Sequence, residues 1–181
     1  MAWKEKEFEE RMRPAIDAIY RRTFKNLASI IRTDRESEKD GKMMIMDREL
    51  AIDTHLYFVD GTVLTFQEKT LHHYNQKYQH FTFEYENDPN KKEPGEWFKL
   101  ASQLYFFGYA NQEETAYLQY WILNIPKLRL FLKNNIGIEA LTSKYLRKNK
   151  PPAKATFFAI PFSQLSGDGI ILIHTPSRQI Q

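Results

Sequence analysis

The 181-residue chain has no cysteine, only seven glycines and no long apolar run. Without cysteine there is no disulfide framework, no thiolate metal site and no thiol nucleophile. No stretch approaches the roughly 20 apolar residues that a membrane-spanning helix requires. The N-terminal "MAWKEKEFEERMRP" is charged and periodic and lacks the apolar core of a signal peptide. These absences lead to the expectation of a soluble, cytoplasmic protein with no membrane partner. A glycine-rich phosphate loop and a GxSxG elbow are missing too, which removes the P-loop and serine-hydrolase readings.

What is present is material for a core. Hydrophobic residues make up 42% of the chain, and its aromatics are 13 Phe, 10 Tyr and 3 Trp. That is too many for a disordered chain and enough for one domain. The net charge of +3 conceals an uneven distribution. Residues 1–50 carry 12 Lys/Arg against 11 Asp/Glu, residues 51–120 carry 5 against 10, and residues 121–181 carry 9 against 2. An acidic middle beside a basic end suits a protein that gathers metal cations near a polyanion. Ordinary surface variation gives the same pattern and is the plainer reading of charge alone.

Hydrophobic periodicity sets the elements. Phe8, Met12, Ile16, Ile19 and Tyr20 recur at helical spacing and predict an amphipathic helix over 4–25, kinked or restarted at Pro14. "LASIIRT" (27–33) reads as a short strand or the helix's continuation, "DRESEKDGK" (34–42) as a solvated loop and "MMIMD" (43–47) as a short strand. Residues 50–59 and 62–71 are strands rich in β-branched and aromatic residues. Asp60-Gly61 between them predicts a two-residue type I′ hairpin. A strand over 80–86, an exposed loop over 87–95, a helix from Trp97 to about Tyr109 and a strand over 115–124 follow. "IPKLRLFLKNN" and "ALTSKYLRKN" read as helices, and "ATFFAIPFSQL" and "GIILIHT" as closing strands. The order predicts an α/β single domain over 1–181, with a core at about 4–124 and a C-terminal elaboration over 125–181.

The hairpin carries the chemistry. Residues two apart on a strand share a face, so Thr65, Gln67 and Lys69 project together, and Asp53, His55 and Tyr57 do the same on the preceding strand. Polar groups on such strands cost free energy unless something compensates them. If both sets face one way, a carboxylate, an amide oxygen and an ammonium meet beside the sheet. Mg²⁺ prefers hard oxygen ligands and keeps several waters. Asp53 offers a charged ligand, Gln67 Oε1 a neutral one and the Glu68 carbonyl a third; Mn²⁺ is the natural substitute ion. A strand bulged by one residue would present the Glu68 side chain in place of Gln67. Lys69 is suited to orient an attacking water and to stabilise charge on a phosphate.

The pattern of Asp53, a hairpin turn and then Gln67-Glu68-Lys69 resembles the PD-(D/E)XK nuclease superfamily, which includes restriction endonucleases, Holliday-junction resolvases and many phage nucleases. The resemblance implies a restriction endonuclease-like core, a mixed β-sheet flanked by helices in the order α-β-β-β-α-β, here with extra C-terminal strands. It implies a metal-dependent endonuclease acting on DNA, with Asp53, Gln67 and Lys69 as catalytic positions and Mg²⁺ or Mn²⁺ as cofactor. A glutamate of the first helix often joins the metal set; Glu9 and Glu10 are the matches, and Glu10 is taken with Asp53, Gln67 and Glu68. Gln67 stands where an acidic residue is commoner, so the alternative is a nuclease-like fold that binds nucleic acid or assembles without catalysis. Cleavage of both strands by so small a chain would favour a homodimer.

Two more passages bear on DNA. Lys99 and Gln103 lie four apart on the predicted helix and would share a face toward a phosphate or base. Arg147, Lys148 and Lys150 belong to a basic run interrupted by Pro151-Pro152, a candidate phosphate-contact loop beside the bland reading of a solvated face. His72, His73 and His80 lack the spacing of a metal cluster, and Tyr105, Phe106, Phe107 and Tyr109 read as core.

Overall fold

The computed structural model describes residues 2–33, 41–149 and 154–175. Helix α1 (Ala2–Thr23) buries the predicted stripe of Phe8, Met12, Ile16, Ile19 and Tyr20. It runs unbroken past Pro14, which is exposed. Arg21 and Arg22 in its last turn suit the negative end of the helix dipole. Strand β1 (Leu27–Arg32) follows at once. Residues 34–40 of the expected loop lie outside the described residues; 41 and 42 open helix α2 (Gly41–Leu50). "MMIMD" is therefore helical and not a strand: five residues are too few to show a period, and the apolar run fits either element. Among the described residues no helix is long and apolar enough to cross a membrane.

The hairpin forms from β2 (Thr54–Phe58) and β3 (Val63–Leu71). Its turn differs from the expectation. Gly61 has φ +84°, but Asp60 is not in the left-handed region as a type I′ turn requires. Instead Gly61 N–H donates to Phe58 O (3.0 Å) and Phe58 N–H to Thr62 O (2.9 Å), a type I turn closed by a glycine bulge. Asp60 Oδ1 accepts the Thr62 N–H at 2.9 Å, which favours this form.

Beyond the hairpin come β4 (His80–Asp88), β5 (Glu93–Pro94), a single helical turn α3 (Glu96–Lys99), β6 (Leu104–Ala110) and β7 (Tyr117–Asn124). The expected helix over 97–109 is thus only one turn followed by a strand. All seven residues of "LYFFGYA" are buried, so the segment has no polar face and no period to read. The chain then forms α4 (Ile125–Phe131), α5 (Ile138–Tyr145), β8 (Leu146–Lys148), β9 (Thr156–Pro161) and β10 (Ile171–Thr175).

Two sheets result. One has six strands in the order β1-β2-β3-β6-β7-β10, and the other has four in the order β5-β4-β9-β8. Neighbours in the larger sheet are antiparallel except β3 and β6, which run parallel with Gln67 beside Tyr105 and Lys69 beside Phe107. The protein is α/β with a mixed sheet. The chain past 125 is woven into both sheets, since β9 pairs with β4 and β10 with β7. Helix α1 covers one face of the large sheet through Ile16, Ile19 and Tyr20 against Leu56, Phe66, Phe106 and Ile122. The small sheet covers the other face, with Phe81, Phe83, Phe158 and Ile160 against Tyr105, Phe107 and Trp121. The Trp121 ring lies between Phe162 (3.7 Å) and His174 (4.9 Å), both nearly parallel to it.

One buried ionic group interrupts the apolar layer under α1. Arg32 donates to Glu68 Oε2 (2.5 Å), to Thr54 Oγ1 (2.7 Å) and to Asp17 Oδ1, while Glu68 Oε1 accepts from Tyr20 Oη (3.0 Å) and Thr54 Oγ1 (2.8 Å). The Arg32 and Glu68 side chains are only 7% and 11% exposed. Arg32→Met leaves the Glu68 charge buried and uncompensated and should cost about 3–5 kcal/mol in urea unfolding; Glu68→Leu, which leaves Arg32 its Asp17 partner, should cost less. The double variant should lose less than the sum of the two; strictly additive losses would contradict the pair.

Candidate active site

Strand β3 is longer than its neighbour. Strand β2 pairs with it only as far as Phe66, whereas β6 follows it from Phe66 to Leu71. The β2-side edge of β3 is therefore open beyond Phe66, and a notch forms there. Asp53, one residue before β2, sits at its rim. Its main chain is tied to both neighbouring strands: Asp53 N–H donates to Phe66 O (2.8 Å), and Asp53 O accepts from Thr33 N–H (2.9 Å). The regular register ends with Thr54 opposite Phe66, and Asp53, which also donates to Phe66 O, stands just beyond the ladder and lines one cavity with Gln67.

The side chain of Asp53 takes the place of the missing strand. Its Oδ2 accepts the Glu68 N–H at 2.7 Å, the first donor of the open edge. The N–H and C=O of one strand residue leave by the same edge, so the Glu68 carbonyl faces the notch as well. The Glu68 side chain points the other way, into the Arg32 network, and is not available to a metal. There is no bulge between Gln67 and Lys69, whose pairing with β6 is continuous. Gln67 Oε1 is buried and has no hydrogen-bond partner among the described residues.

Two acidic residues that sequence reasoning missed complete the surroundings. Helix α2 ends on Ala51, which adopts φ +47° and donates its N–H to Asp47 O (3.2 Å). This left-handed cap, uncommon for alanine, turns the chain so that Asp47 and Asp53 come near each other. Asp47 and Glu9 line both cavities that meet at Gln67 and Glu68, of about 280 and 420 Å³. Glu96 opens α3 and accepts from Tyr105 Oη (2.6 Å) and from the Glu84 N–H (3.4 Å). Asp47 was hidden by reading "MMIMD" as a strand. Glu96 had a signal, an acid in the first turn of a helix after Pro94-Gly95, but nothing in the sequence tied it to the hairpin.

The electrostatics are those of anions crowded away from water. Burial pushes Asp53 well above the usual carboxylate range, and the charges of Glu68, Asp47 and Glu96 push it further; the Glu68 N–H hydrogen bond opposes them without cancelling them. Burial also raises Glu96, against the pull of the nearby Lys69 ammonium and the Tyr105 hydroxyl. Among the described residues Lys69 forms no salt bridge with Asp53. Gln67 borders both cavities, lining one with Asp53 and the other with Lys69.

The remaining expected residues divide. Lys99 lines the 280 Å³ cavity together with Gln67, Lys69 and Glu96. Gln103 does not reach it: α3 ends at Lys99, the shared helical face does not exist, and the Gln103 amide oxygen accepts from Thr65 N–H (3.0 Å). Glu10 pairs with Arg13 at 2.8 Å, and its neighbour Glu9 is the first-helix glutamate on the cavity walls. Arg147 and Lys148 line a larger cleft of about 750 Å³ whose wall also includes Lys69. Lys150 lies outside the described residues. His72 stacks on Phe8 at 3.9 Å, away from the metal role that its spacing had already spoken against.

The donor set fits a hard divalent cation. Among the described residues no three His, Asp or Glu side chains form a metal-holding group. The notch instead offers one carboxylate, one orphaned amide oxygen and one main-chain carbonyl, with room for water, as Mg²⁺ accepts. Comparison with protein-family models, curated proteins and solved structures returns no match for this chain.

The raised Asp53 value has a consequence for stability. The folded protein holds a proton that the unfolded chain releases, so this group's contribution is full below about 3.9, the unfolded value, and is lost as pH rises through the folded one. In EDTA, Asp53→Asn should therefore gain melting temperature relative to wild type as pH rises from about 4 to neutrality. Parallel melting curves across that window would contradict the crowded-anion picture.

Proposed function

We propose that the chain is a metal-dependent nuclease that hydrolyses DNA phosphodiester bonds at the notch beside β3. The observation that carries this reading is that Asp53 and Gln67, whose Oε1 is unpartnered, line one cavity, while Gln67 and Lys69 line the adjoining one. The helix α1, the antiparallel succession β1-β2-β3 and the parallel neighbour β6 support the resemblance to the PD-(D/E)XK superfamily, with Asp53 just before the second of those strands and Gln67 and Lys69 on the third.

Asp53, Gln67 and the Glu68 carbonyl would hold Mg²⁺ or Mn²⁺, with Glu9 across the cavity in the place assigned at first to Glu10. When bound, the cation supplies Lewis-acid polarisation of the phosphate and neutralises charge on it. Lys69 orients the attacking water and offsets charge developing on the phosphate. Water adds to phosphorus, one ester P–O bond breaks, and the departing oxygen takes a proton. Lys99, on the same wall, is positioned for a neighbouring phosphate. Glu68 anchors the strand: with its carboxylate fixed on Arg32, its N–H and carbonyl are held toward Asp53.

The test is a plasmid-nicking assay with Mg²⁺ or Mn²⁺, repeated on single-stranded and branched DNA. Wild type should cleave, and Asp53→Ala and Lys69→Ala should each lose on the order of 10²–10³ in rate or more. A folded wild type inactive on all three substrates would remove the enzyme and leave a fold that binds or assembles.

A further inference from the structure

The cleft lined by Arg147 and Lys148 is not needed to hold Asp53 and Gln67, yet Lys69 belongs to its wall. It measures about 750 Å³ and runs from Lys69 and Leu71 on β3 to Arg147 and Lys148 on β8. Lys69 and Glu84 belong both to its wall and to that of the 280 Å³ cavity, so the two spaces adjoin. We infer that this cleft binds a single strand of DNA a few nucleotides long and leads it to the notch. The choice of a nucleic acid rests on the nuclease reading; the choice of one strand over two rests on the cleft.

Size is the first argument. A volume of about 750 Å³ falls within the roughly 300–1,000 Å³ of a small-ligand site, room for a few nucleotides of one strand. A specific duplex site is a broad surface instead, burying about 1,000–2,500 Å² of protein.

The chemistry of the walls is the second. Cations line the cleft from both sheets, Lys69 on β3 and Arg147 with Lys148 on β8, to meet phosphates. Arg147 spends one guanidinium nitrogen on the Lys144 and Leu146 carbonyls (3.0 and 2.8 Å), which fixes its direction and leaves its other donors for a ligand. The walls also carry aromatic rings. Phe157 pairs with Arg147 in the β8–β9 ladder, and Tyr78 is 58% exposed at the rim. Exposed rings stack on bases that are already unpaired; in a duplex those faces are covered by neighbouring bases. Asn75 and Asn149 add amides able to meet base edges. Among the described residues Glu84 is the one carboxylate of this wall, and it also lines the 280 Å³ cavity, where a cation would offset it.

The experiment is fluorescence anisotropy with the full chain in EDTA, so that binding is read without cleavage. The probes are labelled oligothymidylate of six nucleotides, a blunt DNA hairpin and oligouridylate of the same length. The single DNA strand should bind at least about tenfold more tightly than the hairpin. Tyr78→Ala should weaken it about tenfold, and Arg147→Ala and Lys148→Ala should each reduce the log–log salt slope by about 0.7. All three side chains lie at the surface, and circular dichroism melts check that the fold persists. Equal or tighter binding of the hairpin, indifference of the oligothymidylate to all three changes, or a preference for oligouridylate would each overturn the assignment. Single-strand binding by a protein that cleaves nothing would sustain this inference and refute the nuclease. Cleavage with tighter hairpin binding would do the reverse.

Discussion

The hydrogen bond from the Glu68 N–H to Asp53 Oδ2, 2.7 Å long, stands where a strand would otherwise be. Strand β3 has β6 along one edge to Leu71, but β2 leaves its other edge at Phe66. A buried edge donor without a partner costs about 1–3 kcal/mol, and the Asp53 carboxylate supplies the acceptor. That arrangement holds the carboxylate in the cavity it lines with Gln67, in a place crowded by Glu68, Asp47 and Glu96. The same substitution of side chain for strand satisfies the sheet and assembles an anionic notch. The fold and the chemistry share one constraint.

The rest of the molecule maintains that geometry from both faces. Under α1, the Arg32–Glu68 pair holds the middle residue of the motif on the far side, so that Gln67 and Lys69 point toward the small sheet. A buried ion pair is an expensive way to fasten a strand, since an apolar residue would pack there with no desolvation cost. Its geometric effect is to define which face of β3 each motif residue occupies, because a one-residue slip would bring a charge into the wrong layer. On the opposite face, β4 and β9 stand over β3 and β6, and their outer residues with β8 form the cleft that runs from Lys69. The insertion between β3 and β6 thus builds a wall for the site as well as a crossover between parallel strands.

Local patterns in the sequence revealed what depends on neighbours along the chain. The stripe of α1, the two hairpin strands, β4 and β7 all show in period or composition, and the alternation in 62–71 put Gln67 and Lys69 on one face correctly. Where burial is complete on both faces the pattern vanishes, and "LYFFGYA" read as helix although it is the central strand. With that helix went the argument for Gln103. The turn was misjudged for a different reason: Asp60-Gly61 is consistent with two geometries, and the Asp60–Thr62 hydrogen bond selects the bulged one. Asp47 and Glu96 became visible as wall residues only through tertiary placement, by a left-handed cap at Ala51 and by the turn after Gly95, and the same placement selects Glu9 over Glu10. The cleft joining Lys69 to Arg147 and Lys148 spans more than 70 residues of sequence and has no local signature.

Whether the notch takes a divalent cation is the question on which the account turns. The direct measurement is Mn²⁺ binding followed by electron paramagnetic resonance, with a phosphodiester-bearing oligonucleotide present and absent. The account predicts a saturable site that is lost in Asp53→Ala, weakened in Gln67→Ala, tightened in Gln67→Glu and kept in Lys69→Ala. No saturable binding in either condition, or binding indifferent to Asp53 and Gln67, would contradict it.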